Sequence, residues 1–218
     1  MNFELTKEQA MVKKVVRDFA EQVIRPKAIE IDKFAKFPED IFKQMGELGL
    51  LGIPFPEKYG GAGGDTISYA LAVEEIGRVC GSTGLSYAAA VSLGASPLFY
   101  FGTEEQKEKY LKPLAAGKGL GSFGLTEPTQ TKAVLDGDHY IINGEKCFIT
   151  NASYADIIIV TAVTGRSETG KNLISAFIVP TDSNGLTINS NYDKMGVRGS
   201  DTAEVVLENV VVPKENLL

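Results

Sequence analysis

Near residue 120 the apolar residues of this chain change their spacing once. Before that point they recur at intervals of three and four; beyond it they recur at intervals of two. These are the repeats of a helix buried along one stripe and of a strand buried on alternate positions. A segment patterned for one cannot bury its apolar side as the other. The chain is therefore expected to be a multi-domain α+β protein. An all-α helical domain over residues 1–120 precedes an antiparallel β-barrel or sandwich domain over residues 121–218. A chain of 218 residues has room for two such domains.

In the helical half, Thr6-Lys7-Glu8-Gln9 has the form of a capping box, in which hydroxyl and amide side chains satisfy free N–H groups at a helix start. Met11, Val12, Val15, Val16, Phe19, Ala20, Val23 and Ile24 follow as one apolar stripe, and Pro26 ends or bends that helix. Pro38 opens a second helix carrying Ile41, Phe42, Met45 and Leu48, closed by Gly49 and Gly52. Asp65 or Thr66 caps a third, carrying Ala70, Leu71, Val73, Ile76 and Val79. Its adjacent Glu74 and Glu75 point in different directions and read as solvated rather than as a catalytic pair. The segment Thr83 to Ala95 is rich in small residues, which let a helix or a ligand approach its backbone. Thr103-Glu104-Glu105-Gln106 repeats the capping box ahead of Tyr110, Leu111 and Leu114.

In the second half, Tyr140 to Ile149 reads as two strands around the tight turn Asn143-Gly144, a pair that tolerates the positive φ angles of a hairpin. Ile157–Val163, Leu173–Val179, Val205–Leu207 and Val210–Val212 are further strands, separated by Ser183-Asn184-Gly185 and Arg198-Gly199-Ser200-Asp201.

Several function classes are poorly supported. The net charge is −6 with no basic block, which argues against a nucleic-acid partner. No run reaches the roughly 18–20 apolar residues of a membrane span, and Lys13, Lys14, Arg17 and Asp18 interrupt any signal-peptide core. Cys80, Cys147 and the lone His139 build neither a disulfide framework nor a four-ligand zinc site, so no metal is expected. A cytoplasmic protein with two free thiols fits these observations. Gly60-Gly61-Ala62-Gly63-Gly64 reads as a turn, because it lacks the lysine of a phosphate loop and follows no clear strand. No G-x-G-x-x-G follows a strand, no G-x-S-x-G elbow occurs, and His139 beside Asp138 reads as a turn or edge residue. Side chains alone define no acid–base pair, so a cofactor would have to carry the chemistry.

Two segments offer a place for one. Phe123-Gly124-Leu125-Thr126-Glu127-Pro128 opens the β half, where a pocket between domains would lie, although an ordinary first strand ending in a proline turn reads the same way. Phe148-Ile149-Thr150-Asn151-Ala152 follows the Asn-Gly pair. Phe123 and Phe148 supply flat apolar faces, and Thr126 and Thr150 supply hydroxyl and backbone groups. A planar, partly polar ring such as a flavin needs that mixture.

These segments, taken in order with others, resemble the acyl-CoA dehydrogenases, most of all the bacterial short-chain (butyryl-CoA) type. Leu48-Gly49-Leu50-Leu51-Gly52-Ile53-Pro54 with Glu57-Lys58-Tyr59-Gly60-Gly61, and Phe101-Gly102-Thr103-Glu104-Glu105-Gln106-Lys107 with Tyr110-Leu111, are similar to the helical part of that family. Gly124 to Pro128, Ile142-Asn143-Gly144-Glu145-Lys146, Ile149-Thr150-Asn151-Ala152 and Lys194-Met195-Gly196-Val197-Arg198-Gly199-Ser200 are similar to its middle domain. The resemblance implies FAD as cofactor, a fatty acyl-CoA as substrate, and α,β-dehydrogenation to the enoyl-CoA. It also implies an electron-transferring flavoprotein as electron acceptor and a homotetramer. It assigns Phe123, Gly124, Leu125 and Thr126 to one side of the flavin ring, and Phe148, Ile149 and Thr150 to another. Relatives often carry tryptophan where Phe148 stands; this chain has none.

The chain departs from the family pattern twice. After Thr126-Glu127-Pro128 the family continues into a glycine-rich loop that contacts the flavin pyrophosphate and the acyl-CoA. Here Thr129-Gln130-Thr131-Lys132 follows directly, with about eight residues missing by the family spacing, so no substrate-binding residue is assigned. The family's catalytic glutamate lies in a C-terminal helical bundle, which would begin soon after Val212-Pro213-Lys214-Glu215-Asn216-Leu217-Leu218. No residue here matches that base, and the chain is expected to be inactive alone. A non-catalytic two-domain fragment or scaffold is the competing reading. Acyl-CoA oxidases and related flavin monooxygenases share the architecture and form a third.

Overall fold

The computed structural model of the chain describes residues 4–190 and 192–218. The helices are α1 (Lys7–Phe19), α2 (Ala28–Lys33), α3 (Glu39–Glu47), α4 (Thr66–Val79), α5 (Gly81–Ala89), α6 (Ser96–Phe101), α7 (Glu104–Gln106) and α8 (Lys112–Ala115). The strands are β1 (Gly121–Gly124), β2 (Lys132–Asp136), β3 (His139–Thr150), β4 (Ile157–Arg166), β5 (Asn172–Pro180), β6 (Leu186–Asn189) and β7 (Thr202–Pro213).

Both capping boxes form. Gln9 N donates to Thr6 Oγ1 at 3.2 Å, and Thr6 N donates to Gln9 Oε1 at 3.0 Å. The corresponding bonds at Thr103 and Gln106 are 3.2 and 2.9 Å. Asp65 is the cap of α4, accepting from Ser68 N at 2.7 Å. Pro26 does not end the first helix. The run passes through a π turn, Ala20–Ile24, and a 3-10 turn, Arg25–Lys27, and continues as α2. Altered hydrogen-bond spacing lets the helical run absorb a residue that lacks an N–H. The apolar stripe is also wider than the face it buries. Val16, Phe19, Ala20 and Ile24 are buried, whereas Met11 and Val15 are exposed.

Glu74 is exposed as expected, but Glu75 is not solvated: its side chain has no exposed surface. Arg17 donates to its two oxygens at 2.6 and 2.9 Å, and Arg78 Nε donates at 3.3 Å. Adjacent helical positions face different surroundings, and here one of them faces α1.

The strands form one sheet, ordered β1-β4-β2-β3-β7-β6, with β5 paired antiparallel along the other edge of β4, from Ile157↔Pro180 to Arg166↔Asn172. It is mixed rather than purely antiparallel. β1 runs parallel to β4, from Gly121↔Ile157 to Gly124↔Val160, and Lys132↔Val163 adds a short parallel contact between β2 and β4. Between β1 and β4 the chain makes the β2–β3 hairpin and the turn Ala152–Tyr154, and this excursion reverses direction twice. A period of two reports which face is buried and is silent about strand direction.

Asn143-Gly144 is not a hairpin turn either. It lies inside the continuous 12-residue β3. β7 pairs with both flanks, Ile142↔Val210 and Gly144↔Leu207, with a register shift between them. Asn143 Oδ1 accepts from Asn209 N at 2.8 Å, so the pair marks facing bulges on two strands. Gly144 is needed for close approach: a Cβ there would stand 2.5 Å from Thr131 Oγ1. The β2–β3 turn falls instead at Gly137, with φ 63°. The expected strands 205–207 and 210–212 likewise merge into β7.

Two apolar cores result, and β4 belongs to both. Ile157 and Ile159, with Ile178 of β5, pack into the helical core. Ile158, Val160 and Ala162 face the interior of the curled sheet with Ile142, Phe177, Val205 and Val210. Among the described residues, no helix is long and apolar enough to cross a membrane.

The Glu75 cluster generates a prediction. The hydrogen bonds from Arg17, followed by Coulombic attraction and the bonds from Arg78, hold the Glu75 carboxyl below the usual carboxylate range despite burial. A lowered folded-state pKa stabilises the fold above the unfolded-state pKa, and this contribution is lost as pH falls through the folded value. Glu75→Gln should cost about 1–3 kcal/mol at neutral pH, since Arg17 and Arg78 are half in solvent. It should cost less near pH 3, with the difference read from urea midpoints. An equal loss at both pH values would contradict the pairing.

Candidate functional site

The ends of β1 and β3 come together beside the helices. Ser122 Oγ donates to Thr150 O at 2.6 Å, tying the two strands at one rim. Cys147 N donates to Thr126 O at 2.9 Å, tying β3 to the chain two residues past the end of β1. The helical wall reaches this corner through glycine. A Cβ on Gly94 would stand 2.3 Å from Gly121 O, and a Cβ on Gly121 would stand 2.9 Å from Gly94 Cα. No larger residue fits either position without separating helix and strand, since real Cβ atoms essentially never approach so closely.

The corner encloses a cavity of about 210 Å³ lined by Ala89, Leu93, Ser122, Phe123, Leu125, Thr126, Phe148, Ile149 and Thr150. Of the sequence-predicted residues it therefore gathers Phe123, Leu125, Thr126, Phe148, Ile149 and Thr150. Gly124 stands behind this wall, where a Cβ would meet Lys146 Cγ at 3.2 Å. Sequence reasoning missed Ser122 and Leu93 as wall residues, and it noted the small residues around Ala89 as open to a ligand without assigning one to the site. The small-residue run around Ala89 was the available signal, but it reads equally well as helix packing.

Phe148 has φ 59°, unusual for a residue with a large side chain, and lies where the β3–β7 register shifts between Lys146 and Ile149. Two successive interior positions are thereby separated, and the ring lies 62% exposed against Tyr192, with centroids 5.1 Å apart. Leu125, in the same lining, is similarly open. The cavity thus has three exposed apolar residues, Leu93, Leu125 and Phe148, with hydroxyls at Ser122, Thr126 and Thr150 and no charged residue among its described lining.

Behind it lies a charged cluster. Lys146 is 1% exposed and donates to Glu127, to Leu125 O at 3.3 Å and to Thr161 Oγ1 at 3.2 Å. Thr161 Oγ1 in turn donates to Gly124 O at 3.3 Å. The carbonyls of Gly124 and Leu125 are therefore held from the rear by one ammonium and one hydroxyl. Burial alone would raise the Glu127 carboxyl, but hydrogen bonds from Lys146 and Thr131 outweigh it and leave it below the usual range. Glu127 is thus an ionised partner of Lys146, in a structural pair behind the wall.

A wider groove of about 590 Å³ runs along Ile29, Asp32, Lys33, Cys80, Ser82 and Val197, but it contains none of the predicted residues.

Comparison with known proteins identifies the family of the chain. The family model for the acyl-CoA dehydrogenase N-terminal domain matches residues 6–118, and that for the acyl-CoA dehydrogenase middle domain matches residues 118–210. The chain belongs to the acyl-CoA dehydrogenase family. It is 70% identical to a probable acyl-CoA dehydrogenase, YngJ, of Bacillus subtilis, covering 100% of this chain and 60% of that protein. The butyryl-CoA dehydrogenase structure from Megasphaera elsdenii is 43% identical with a TM-score of 0.95, covering 100% of this chain and 60% of the other. An acyl-CoA dehydrogenase from Bacillus anthracis, solved in complex with FAD, is 39% identical with a TM-score of 0.89, covering 99% of this chain and 38% of the other. The chain thus spans about 60% of the length of the curated relative it matches. The alignment with the Bacillus subtilis relative runs over 226 positions against the 218 residues of this chain, a difference of eight.

The rear cluster supplies a second prediction. Lys146→Met keeps most of the buried stem but strands Glu127 and two oxygen acceptors. It should lower stability by about 1–3 kcal/mol, with part of the loss recovered in the double variant with Glu127→Gln. Chemical denaturation of the four proteins in the cycle reads the coupling. Additive losses would remove the pair from the account of the wall.

Proposed function

We propose that this chain forms the flavin-side part of an FAD-dependent acyl-CoA dehydrogenase acting on short-chain substrates. The observation that carries the reading is the meeting of Phe123, Leu125, Thr126, Phe148, Ile149 and Thr150 around one cavity, in a chain of this family. Two aromatic rings and three hydroxyl-bearing residues suit a planar ring with polar edges. Bound FAD would supply the two-electron acceptor that no amino-acid side chain provides. Phe123 and Phe148 would give a bound ring apolar surface to lie against and keep water from it. Ser122 holds the two strand ends at fixed spacing through its bond to Thr150. Lys146 and Thr161 keep the Gly124 and Leu125 carbonyls turned to the rear.

The group that removes the substrate's α-proton is proposed to lie outside this sequence. Glu127 is unsuited to the task, being ionised, paired with Lys146 and absent from the cavity lining. The proposed electron acceptor is an electron-transferring flavoprotein, the proposed assembly a homotetramer, and the proposed compartment the cytoplasm. Chain-length preference rests on likeness to the butyryl-CoA enzyme.

Anaerobic addition of butyryl-CoA to a flavin-loaded preparation of the protein bearing this sequence should bleach its visible flavin band. Electron-transferring flavoprotein should then restore the band faster than oxygen does. A preparation that retains flavin but is bleached by no saturated acyl-CoA would favour the non-catalytic scaffold, and rapid recovery with oxygen would favour an oxidase.

A further inference from the structure

FAD has two chemically different ends, an uncharged fused ring and a diphosphate bearing adenosine. The residues around the cavity suit the first and not the second. At about 210 Å³ the cavity is smaller than the roughly 300–1,000 Å³ typical of sites that enclose a whole drug-sized ligand. Its described lining consists of aliphatic, aromatic and hydroxyl residues.

A diphosphate is held by clustered cations, by a helix N-terminus, or by a nest of successive N–H groups. The connection beside the cavity, Leu125-Thr126-Glu127-Pro128-Thr129-Gln130-Thr131, offers none of these. It contains no basic residue and no glycine, and its one charged side chain is a carboxylate. No residue from 121 through 136 has positive φ, so the alternation of right- and left-handed residues that builds a nest does not occur there. The cation behind the wall, Lys146, is 1% exposed and engaged by Glu127. Ala89 and Leu93 come from the middle of consecutive helical segments, Gly81 to Phe101, and not from a helix start.

We infer that this chain selects the fused ring of a flavin and is indifferent to its phosphate tail. This rests on the flavin reading of the cavity given above. The tail of FAD, if it lies along this chain, runs past the 125–131 connection without a charge-assisted bond from it.

Equilibrium dialysis of the 218-residue chain against riboflavin, FMN and FAD tests this at low salt and at tenfold higher salt. The three dissociation constants should agree within about threefold and move by less than about twofold with salt, because uncharged contacts are not screened. Phe148→Ala, a change at an exposed ring, should weaken all three by the same factor. Binding of FAD about tenfold or more tighter than riboflavin, with the advantage lost in salt, would overturn the inference while leaving the flavin reading intact. Failure of all three to bind would overturn the flavin reading, and the inference with it.

Discussion

The architecture depends on one strand buried on both faces. β4 alternates Ile157 and Ile159 toward the helices with Ile158, Val160 and Ala162 toward the sheet interior. A strand covered on one side needs apolar residues only at every second position; β4 has them without a break from Ile157 to Val160, as strands sandwiched between layers do. Through it the helical half and the sheet share a seam of side chains. β1 lies on that seam as its parallel neighbour, and the candidate site lies at the end of β1.

The site is shaped by irregularities. The bulge at Phe148 swings an aromatic ring out of β3, the paired bulges at Asn143 and Asn209 bend β3 with β7, and the Gly94–Gly121 contact sets the distance from helix to strand. Each interrupts a regular repeat, and together they open a cavity where an ideal sheet edge would have closed against the helix. The pair of buried Lys146 with Glu127 performs a different task. Its ammonium also holds the Leu125 carbonyl, and an unsatisfied acceptor beside so buried a cation would be costly.

Much of this was legible in the sequence because it is local. The capping boxes at Thr6 and Thr103, the Asp65 cap and the change of period near residue 120 each depend on residues a few positions apart. The non-local features were not legible. Asn143-Gly144 carries the chemistry of a tight turn, and only the pairing of both its flanks with β7, more than sixty residues away in sequence, shows it to be a bulge. Glu75 looks like one of two surface carboxylates until Arg17, 58 residues distant, is placed against it. The parallel β1–β4 pairing is likewise invisible to periodicity. At the site, the two strand segments carried enough residue chemistry to be singled out. Ser122 and the helical residues Ala89 and Leu93 did not, because hydroxyl and small side chains acquire a role only from what faces them.

The shared seam also has a consequence in time. A ribosome releases the helices first, yet the isoleucines that complete their core, Ile157, Ile159 and Ile178, are the last of that core to be made. While the intervening residues are being translated, the nascent helical bundle carries a strand-shaped apolar groove open to solvent or to whatever attends the exit tunnel. The two halves are separate in architecture, but the first cannot finish folding until most of the second has been synthesised, so the molecule matures as one unit despite its two-part plan.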